Sequence, residues 1–170
     1  MNEVIIVNKN DEIIGYKSRN NRSPEDIIRI AGIWIENENG EVLIAQRSIN
    51  KKNDPGKWGP AAAGTLEKGE TYESNILKEI EEEIGVSLEP ADIQSIGNFY
   101  EETSHKYFVG TFYAKIDSKT NFVLQKEEVE AVKWISWFDL EKDIIENPTK
   151  YLLSLNRGIL ERIKNWKNQD

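Results

Sequence analysis

The chain has 170 residues, of which 38% are hydrophobic, and its net charge at pH 7 is −8. This composition favours one folded domain over residues 1–170, because repeats and linker-like stretches are lacking. The lack of cysteine excludes disulfides, thiolate metal sites and a cysteine nucleophile, and the lone His105 excludes a multi-histidine zinc site. Negative charge disfavours general binding to nucleic acids or membrane surfaces. No signal-peptide core or membrane span is visible, so we expect a cytoplasmic location.

Apolar and β-branched runs predict the strands, in chain order. Residues 4–7 and 13–16 flank a turn-like stretch and predict a hairpin. The further predicted strands are residues 27–35, 42–46, 93–100, 107–116 and 129–135. The stretch 50–58 contains Pro55-Gly56 and predicts a loop.

Helical spacing predicts one helix at residues 72–84, with Thr71 as its N-cap and Gly85 at its end. Helical character also follows Trp137, and Asn147-Pro148 opens a last amphipathic helix at about residues 148–168. Strands and helices mix without regular alternation. The sequence therefore predicts an α+β or layered α/β/α domain with a mixed sheet.

The helix at residues 72–84 carries an unusual strip of acids beside its apolar stripe. Glu79, Glu82 and Glu83 share one arc, and each such like-charge pair costs about 0.2–0.5 kcal/mol. A solvated acidic face would tolerate that cost. A metal site is favoured because a glycine-rich approach and a fourth acid, Glu70, lead into the helix. Carboxylate oxygens are the ligands that Mg²⁺ prefers.

The spacing of these acids resembles a known motif, the Nudix box G-x5-E-x7-R-E-U-x-E-E-x-G-U, in which U is a bulky aliphatic residue. Eight of its nine fixed positions match at residues 64–86, and Lys78 replaces the arginine. The matching residues are Gly64, Glu70, Glu79, Ile80, Glu82, Glu83, Gly85 and Val86. The likeness extends over about residues 28–145. It implies the Nudix α/β/α sandwich.

The resemblance implies metal-dependent hydrolysis of a nucleoside diphosphate linked to another moiety. Water would attack phosphorus with the aid of Mg²⁺, or of Mn²⁺ in its place. The implied metal ligands are the Gly64 carbonyl, Glu79, Glu82 and Glu83, and Glu82 would complete the site or orient the water. Because Lys78 stands in for the arginine, we expect it to support the strip by pairing with Glu70.

The residue that removes the proton from the water stays open between the box and a later loop. Glu127 and Glu128, just before the strand at residue 129, are the loop candidates, although solvated loop acids would look the same.

Basic and aromatic residues before the box suggest substrate contacts. We expect Arg47 to bind outer phosphates, together with Lys57 and its neighbours Lys51 and Lys52, unless these lysines are only solvated. Trp58 and Trp34 would stack a base, or pack in the core. His105 would face the site if its strand is oriented that way.

Two alternatives compete with hydrolysis. Residues 7–15 and 51–58 resemble the isopentenyl-diphosphate isomerase-like branch of the superfamily. The isomerases use a cysteine and histidines that this chain lacks, so the sequence argues for a hydrolase on an isomerase-like frame. The second alternative is a non-catalytic nucleotide-binding regulatory domain, for which three intact acids would not be needed. A small-molecule diphosphate is the expected partner, and a homodimer is left open.

Overall fold

A mixed sheet with three α-helices forms from the predicted hydrophobic runs. The structure is a computed structural model and describes residues 2–169. In chain order its strands are β1 (Glu3–Val7), β2 (Ile13–Ser18), β3 (Ile27–Glu36), β4 (Glu41–Arg47), β5 (Trp58–Pro60), β6 (Ala62–Thr65), β7 (Ile93–Glu102), β8 (Lys106–Lys115) and β9 (Val129–Ser136). The helices are α1 (Tyr72–Ile84), α2 (Trp137–Glu146) and α3 (Arg157–Lys167). Within residues 2–169, no helix is long and apolar enough to cross a membrane.

The sheet is organised around β3, which is buried along most of its length. Strand β3 runs parallel to β8 over ten residue pairs, from Ile27 beside Lys106 to Glu36 beside Lys115. Its first residues pair with β1, and its middle pairs with β6. Strand β4 joins β3 only at residues 35–36 and then continues along β5 and β9. The sheet therefore splits beyond the β3–β4 turn, and the short strands β5 and β6 lie in the opening.

Helices cover the sheet in two hydrophobic clusters. On one side, α1 buries Ile76, Ile80 and Ile84 against residues of β3, β6 and β8. In the second cluster, α2 and α3 pack Leu140 and Leu160 with residues of β3 and β4. This arrangement confirms the predicted α+β class and the mixed-sheet sandwich.

The ends of α1 follow local sequence signals. Thr71 accepts a hydrogen bond from the Ser74 amide at 3.1 Å, and the Ser74 hydroxyl accepts one from the Thr71 amide at 2.9 Å. This reciprocal pair satisfies two amides that the first helical turn leaves free. Gly85 adopts a left-handed conformation with φ 72° and ends the helix. Both predicted ends are confirmed.

The predicted C-terminal helix at residues 148–168 is wrong in its first part. Pro148–Lys150 forms one 3₁₀ turn, and α3 begins only after Asn156, whose side chain accepts a hydrogen bond from the Ile159 amide. The reason is tertiary pairing: the Leu152 amide donates to the Trp58 carbonyl at 3.0 Å, so Tyr151 forms a parallel bridge with β5, and the chain then turns at residues 153–154 before α3. A backbone that pairs with a strand cannot also form helical hydrogen bonds.

Candidate active site

A polar cleft of about 770 Å³ opens at the split in the sheet. Its floor comes from residues 63–65 of β6 and from the acidic strip of α1. The walls come from Arg47 at the end of β4 and from three loops: residues 51–54, residues 103–105 between β7 and β8, and residues 152–154. Most of the predicted site residues lie here, namely Arg47, Lys51, Lys52, Gly64, Lys78, Glu79, Glu82, Glu83, His105 and Glu128.

Gly64 allows α1 to approach β6 closely. A Cβ atom at this position would lie 2.3 Å from Cδ of Glu79, far inside van der Waals contact. Glycine therefore leaves room for the Glu79 side chain beside the β6 backbone in the conformation observed.

Lys78 pairs with Glu70, as expected. Its Nζ lies 2.6 Å from Oε1 of Glu70 and 3.4 Å from Oε1 of Glu79. The other Glu70 oxygen accepts from the Glu67 amide at 2.8 Å and from Nδ2 of Asn75 at 2.9 Å. Burial would raise the pKa of Glu70, but these donors hold it below its usual value. Burial would lower the pKa of Lys78, and its two carboxylate partners raise it instead.

Glu83 is the most strongly perturbed acid of the cleft. Burial, followed by the nearby charges of Glu79 and Glu128, raises the pKa of Glu83 to about 8. Burial also raises the pKa of Glu79, although Lys78 opposes the shift. Carboxylates crowded in this way are stabilised in their charged form by a cation.

The residues at this point fit a hard divalent cation. All the candidate donors are oxygens, and the Glu79 side chain lies against the backbone of Gly64, whose carbonyl is one of these donors. Among residues 2–169, no three acidic or histidine side chains already stand together as a preformed cluster. Instead, Oε1 of Glu79 lies 3.4 Å from Nδ2 of Asn75 and as far from Nζ of Lys78. Both contacts involve Oε1 of Glu79, so ligation through this oxygen would compete with Asn75 and Lys78.

The loop before β9 corrects one predicted role. Glu127 is exposed in the turn and does not line the cleft, whereas Glu128 lines it and forms an ion pair with Lys51. The turn is fixed because the Val129 amide donates to the Gln125 carbonyl at 2.8 Å and Val129 is buried. Its geometry places Glu128, not Glu127, at the cleft.

Two predicted substrate contacts also lie outside the cleft. Lys57 forms an ion pair with Asp54 at 2.8 Å. The Trp58 ring packs against the second hydrophobic cluster, with Nζ of Lys133 4.5 Å from the ring centroid. Trp34 is buried in the same cluster and contacts Trp137. Tryptophan is a large apolar surface, and here core packing outweighs ligand stacking.

Arg47 does line the cleft, with its guanidinium held by the Asn53 carbonyl at 3.1 and 3.2 Å. Sequence reasoning missed Arg19 and Arg22, which reach the cleft from the loop between β2 and β3. Their only signal was positive charge in an acidic chain. Their position depends on the pairing of β1 with β3, which local sequence does not reveal.

Comparison with known proteins agrees with this geometry. The model of the NUDIX domain matches residues 27–155. A Nudix hydrolase of Listeria monocytogenes is 28% identical over 144 residues, which cover 83% of each chain. One of Yersinia pestis is 29% identical over 133 residues, covering 78% of this chain and 71% of the relative.

The fold has solved counterparts as well. A crystal structure of the Deinococcus radiodurans protein DR0079 superposes with a TM-score of 0.73 at 22% identity, covering 85% of this chain and 90% of the other. The split mixed sheet, the box at residues 64–86 and the family match lead to one conclusion: this chain belongs to the Nudix hydrolase family.

Proposed function

We propose that this protein is a divalent-metal-dependent hydrolase that cleaves the diphosphate linkage of a nucleoside diphosphate joined to another moiety. Mg²⁺ is the proposed ion, with Mn²⁺ as a substitute, and the substrate is a small molecule in the cytoplasm. The acidic strip of α1 carries the proposal, because it lies against Gly64 in the floor of the cleft.

The proposed ligands are Glu79, Glu83, the Gly64 carbonyl and Glu82. A bound ion would neutralise phosphate charge and lower the pKa of a water molecule. Lys78 supports this strip through Glu70, and Asn75 donates to both Glu70 and Glu79. These contacts hold the base of the strip, and all three acids line the cleft.

We propose two acids as acceptors for the proton of the attacking water. Glu82 is exposed on α1 and lines the cleft. Glu128 faces Glu83 closely enough to raise the pKa of that acid, and Lys51 pairs with it. The proposed general base is therefore either Glu82 or Glu128.

A hydrolysis screen with Mg²⁺, read by chromatographic separation of the products, tests the proposal. The panel contains dinucleoside polyphosphates, nucleotide sugars, nucleoside triphosphates and isopentenyl diphosphate. We expect hydrolysis of at least one nucleoside diphosphate derivative, and no dimethylallyl diphosphate, because the chain has no cysteine to act as isomerase acid or base. A protein that binds nucleotides without turnover would instead support the regulatory alternative.

Glu83→Gln is the matched variant for the screen. It keeps the side-chain shape but removes a charged ligand, so turnover should fall about 100-fold or more. Glu81→Gln is the control, because Glu81 is exposed on the same helix and does not line the cleft. Equal turnover of both variants in Mg²⁺ would remove the metal assignment.

A further inference from the structure

Arg19 and Arg22 bring a second positive region to the cleft. Both reach it from the loop between β2 and β3, which is remote in sequence from the basic loop after β4. Nη2 of Arg19 lies 3.3 Å from Oε1 of Glu67, just past the end of β6. Nε of Arg22 donates to the Arg19 carbonyl at 3.4 Å. The two arginines therefore lie near the end of β6 at Thr65.

Strand β6 shows where the two basic regions lie relative to the acids. Near its start, Ala63 shares a small recess with Arg47 and Glu83. In its middle, Gly64 contacts Glu79. Beyond its end, Glu67 pairs with Arg19. The acidic strip thus lies between a basic region around Arg47 and another around Arg19.

The basic side chains are available to an anion. Within residues 2–169, no carboxylate lies within 4.0 Å of the side-chain nitrogens of Arg22, Arg47 or Lys52. Arg19 has one carboxylate partner, and its side chain is 55% exposed. Arginine offers a planar set of donors that matches phosphate oxygens.

Aromatic surface is scarce in the same cleft. Among its described lining residues, Tyr107 is the one Phe, Tyr or Trp, and that residue is 6% exposed. Stacking on a base is therefore limited to the exposed imidazole of His105. Recognition in this cleft depends on charge and hydrogen bonding.

We infer that Arg19 and Arg22 form a second anion subsite, so that the substrate carries at least one phosphate in addition to the two of the hydrolysed linkage. The two basic regions would each hold phosphate oxygens while the linkage lies over the acidic strip. Substrates of this class have three or more consecutive phosphates, or a phosphate on the second moiety. This inference rests on the proposed function and restricts the class of substrate.

Diadenosine diphosphate and diadenosine tetraphosphate are suitable probes, because they share both nucleosides and differ in the number of phosphates. We expect kcat/KM with Mg²⁺ to be at least about tenfold higher for the tetraphosphate, the lower end of what one charge-assisted hydrogen bond contributes. In Arg22→Ala this preference should shrink about tenfold. Arg157→Ala is the control, because Arg157 of α3 pairs with Glu141 of α2 and does not line the cleft.

Binding of the two methylene-bridged, non-hydrolysable analogues gives the same comparison by calorimetry without turnover. Equal kcat/KM and equal affinity for the two lengths would overturn the subsite, even if both probes are hydrolysed. A preference that Arg22→Ala retains would also overturn it. Failure of the proposed function looks different: no compound of the wider screen is hydrolysed, whatever its length.

Discussion

At the scale of single residues, the absence of one methyl group determines how the acidic helix meets the sheet. Gly64 lies in a regular strand, so its backbone conformation is open to any residue. What excludes a larger residue is Glu79, whose Cγ and Cδ atoms occupy the space of a Cβ. A substitution of Gly64 should therefore disturb the cleft, although the backbone conformation at this position would accept any residue.

Gly64→Ala should displace Glu79 and lower turnover by about 100-fold, the scale on which a misplacement of about 1 Å acts. Because the displaced atoms are the end of a flexible side chain, the free energy of unfolding should fall by no more than about 1 kcal/mol, the lower end for overpacking. Steady-state kinetics and urea denaturation measure both effects.

Gly32→Ala is the matched control. Gly32 pairs with Ala63 on the neighbouring strand, and a Cβ there would meet its nearest atoms at 4.0 Å. This variant should keep its turnover. If the two variants behaved alike, the close approach of Glu79 to β6 would not matter for catalysis.

At the scale of elements, α1 is tied to the segments that precede it. The Tyr72 hydroxyl donates to the Asp11 carboxylate at 3.0 Å, and Nε of Arg29 lies 2.7 Å from the same group. The Leu66 carbonyl accepts from the Ile5 amide at 3.1 Å. The N-terminal hairpin thus braces both the loop before α1 and the first turn of the helix.

Lys78→Ala should remove the ion pair that links α1 to Glu70 in the loop before it. Loss of a charge-assisted hydrogen bond of about 1.5–3 kcal/mol corresponds to a loss in kcat of about 10- to 150-fold. Lys78→Arg should stay within about tenfold of the parent, because a guanidinium can still bridge Glu70 and Glu79. Kinetics of both variants, with circular dichroism to verify folding, make the test. A fully active Lys78→Ala would show that Lys78 has no supporting role.

Elements with a hydrophobic period of their own could be predicted from the sequence. Short strands without such a period, which form only by pairing with longer strands, could not. The spacing of Ile76, Ile80 and Ile84, with Thr71 and Gly85 at the ends, predicted α1 correctly. Strands β5 and β6 were missed because Gly, Ala and Pro have low strand propensity, and they form only by pairing with β4 and β3.

The same limit applies within the site. The box gave the acidic strip and the Lys78–Glu70 pair, since both lie within one short stretch of chain. Contacts between distant segments decide whether Glu127 or Glu128 faces the cleft. Such contacts also bring Arg19 to Glu67. Local sequence does not encode such contacts directly.

At the scale of the whole molecule, the C-terminal helix is fastened to the central strand through a buried acid. Glu36 of β3 is 5% exposed, accepts from Nε1 of Trp137 at 2.8 Å and pairs with Lys167 of α3. Burial would raise the pKa of Glu36, but the bonds to Lys167 and Trp137 outweigh it and lower the pKa.

This lowered pKa predicts a pH dependence of stability. The unfolded chain binds the Glu36 proton more readily, so the contribution is complete above the unfolded value of 4.5 and is lost as pH falls through the folded pKa. Glu36→Gln should cost about 2 kcal/mol in the free energy of unfolding at pH 7. Denaturation curves at pH 7 and pH 3 measure it. A cost that did not shrink at pH 3 would contradict the ionic pairing.

The long parallel pairing of β3 with β8 has a consequence for the order of folding. Every candidate metal ligand precedes residue 84, yet β3 completes its pairing only when Ile27 meets Lys106. Closing so long a loop costs chain entropy before any contact compensates it, which places such folds in the slower range of about milliseconds to seconds. During synthesis the acidic helix leaves the ribosome before the strand that completes the sheet around it. The hydrolase therefore acquires its working site late, after most of its chain has been made.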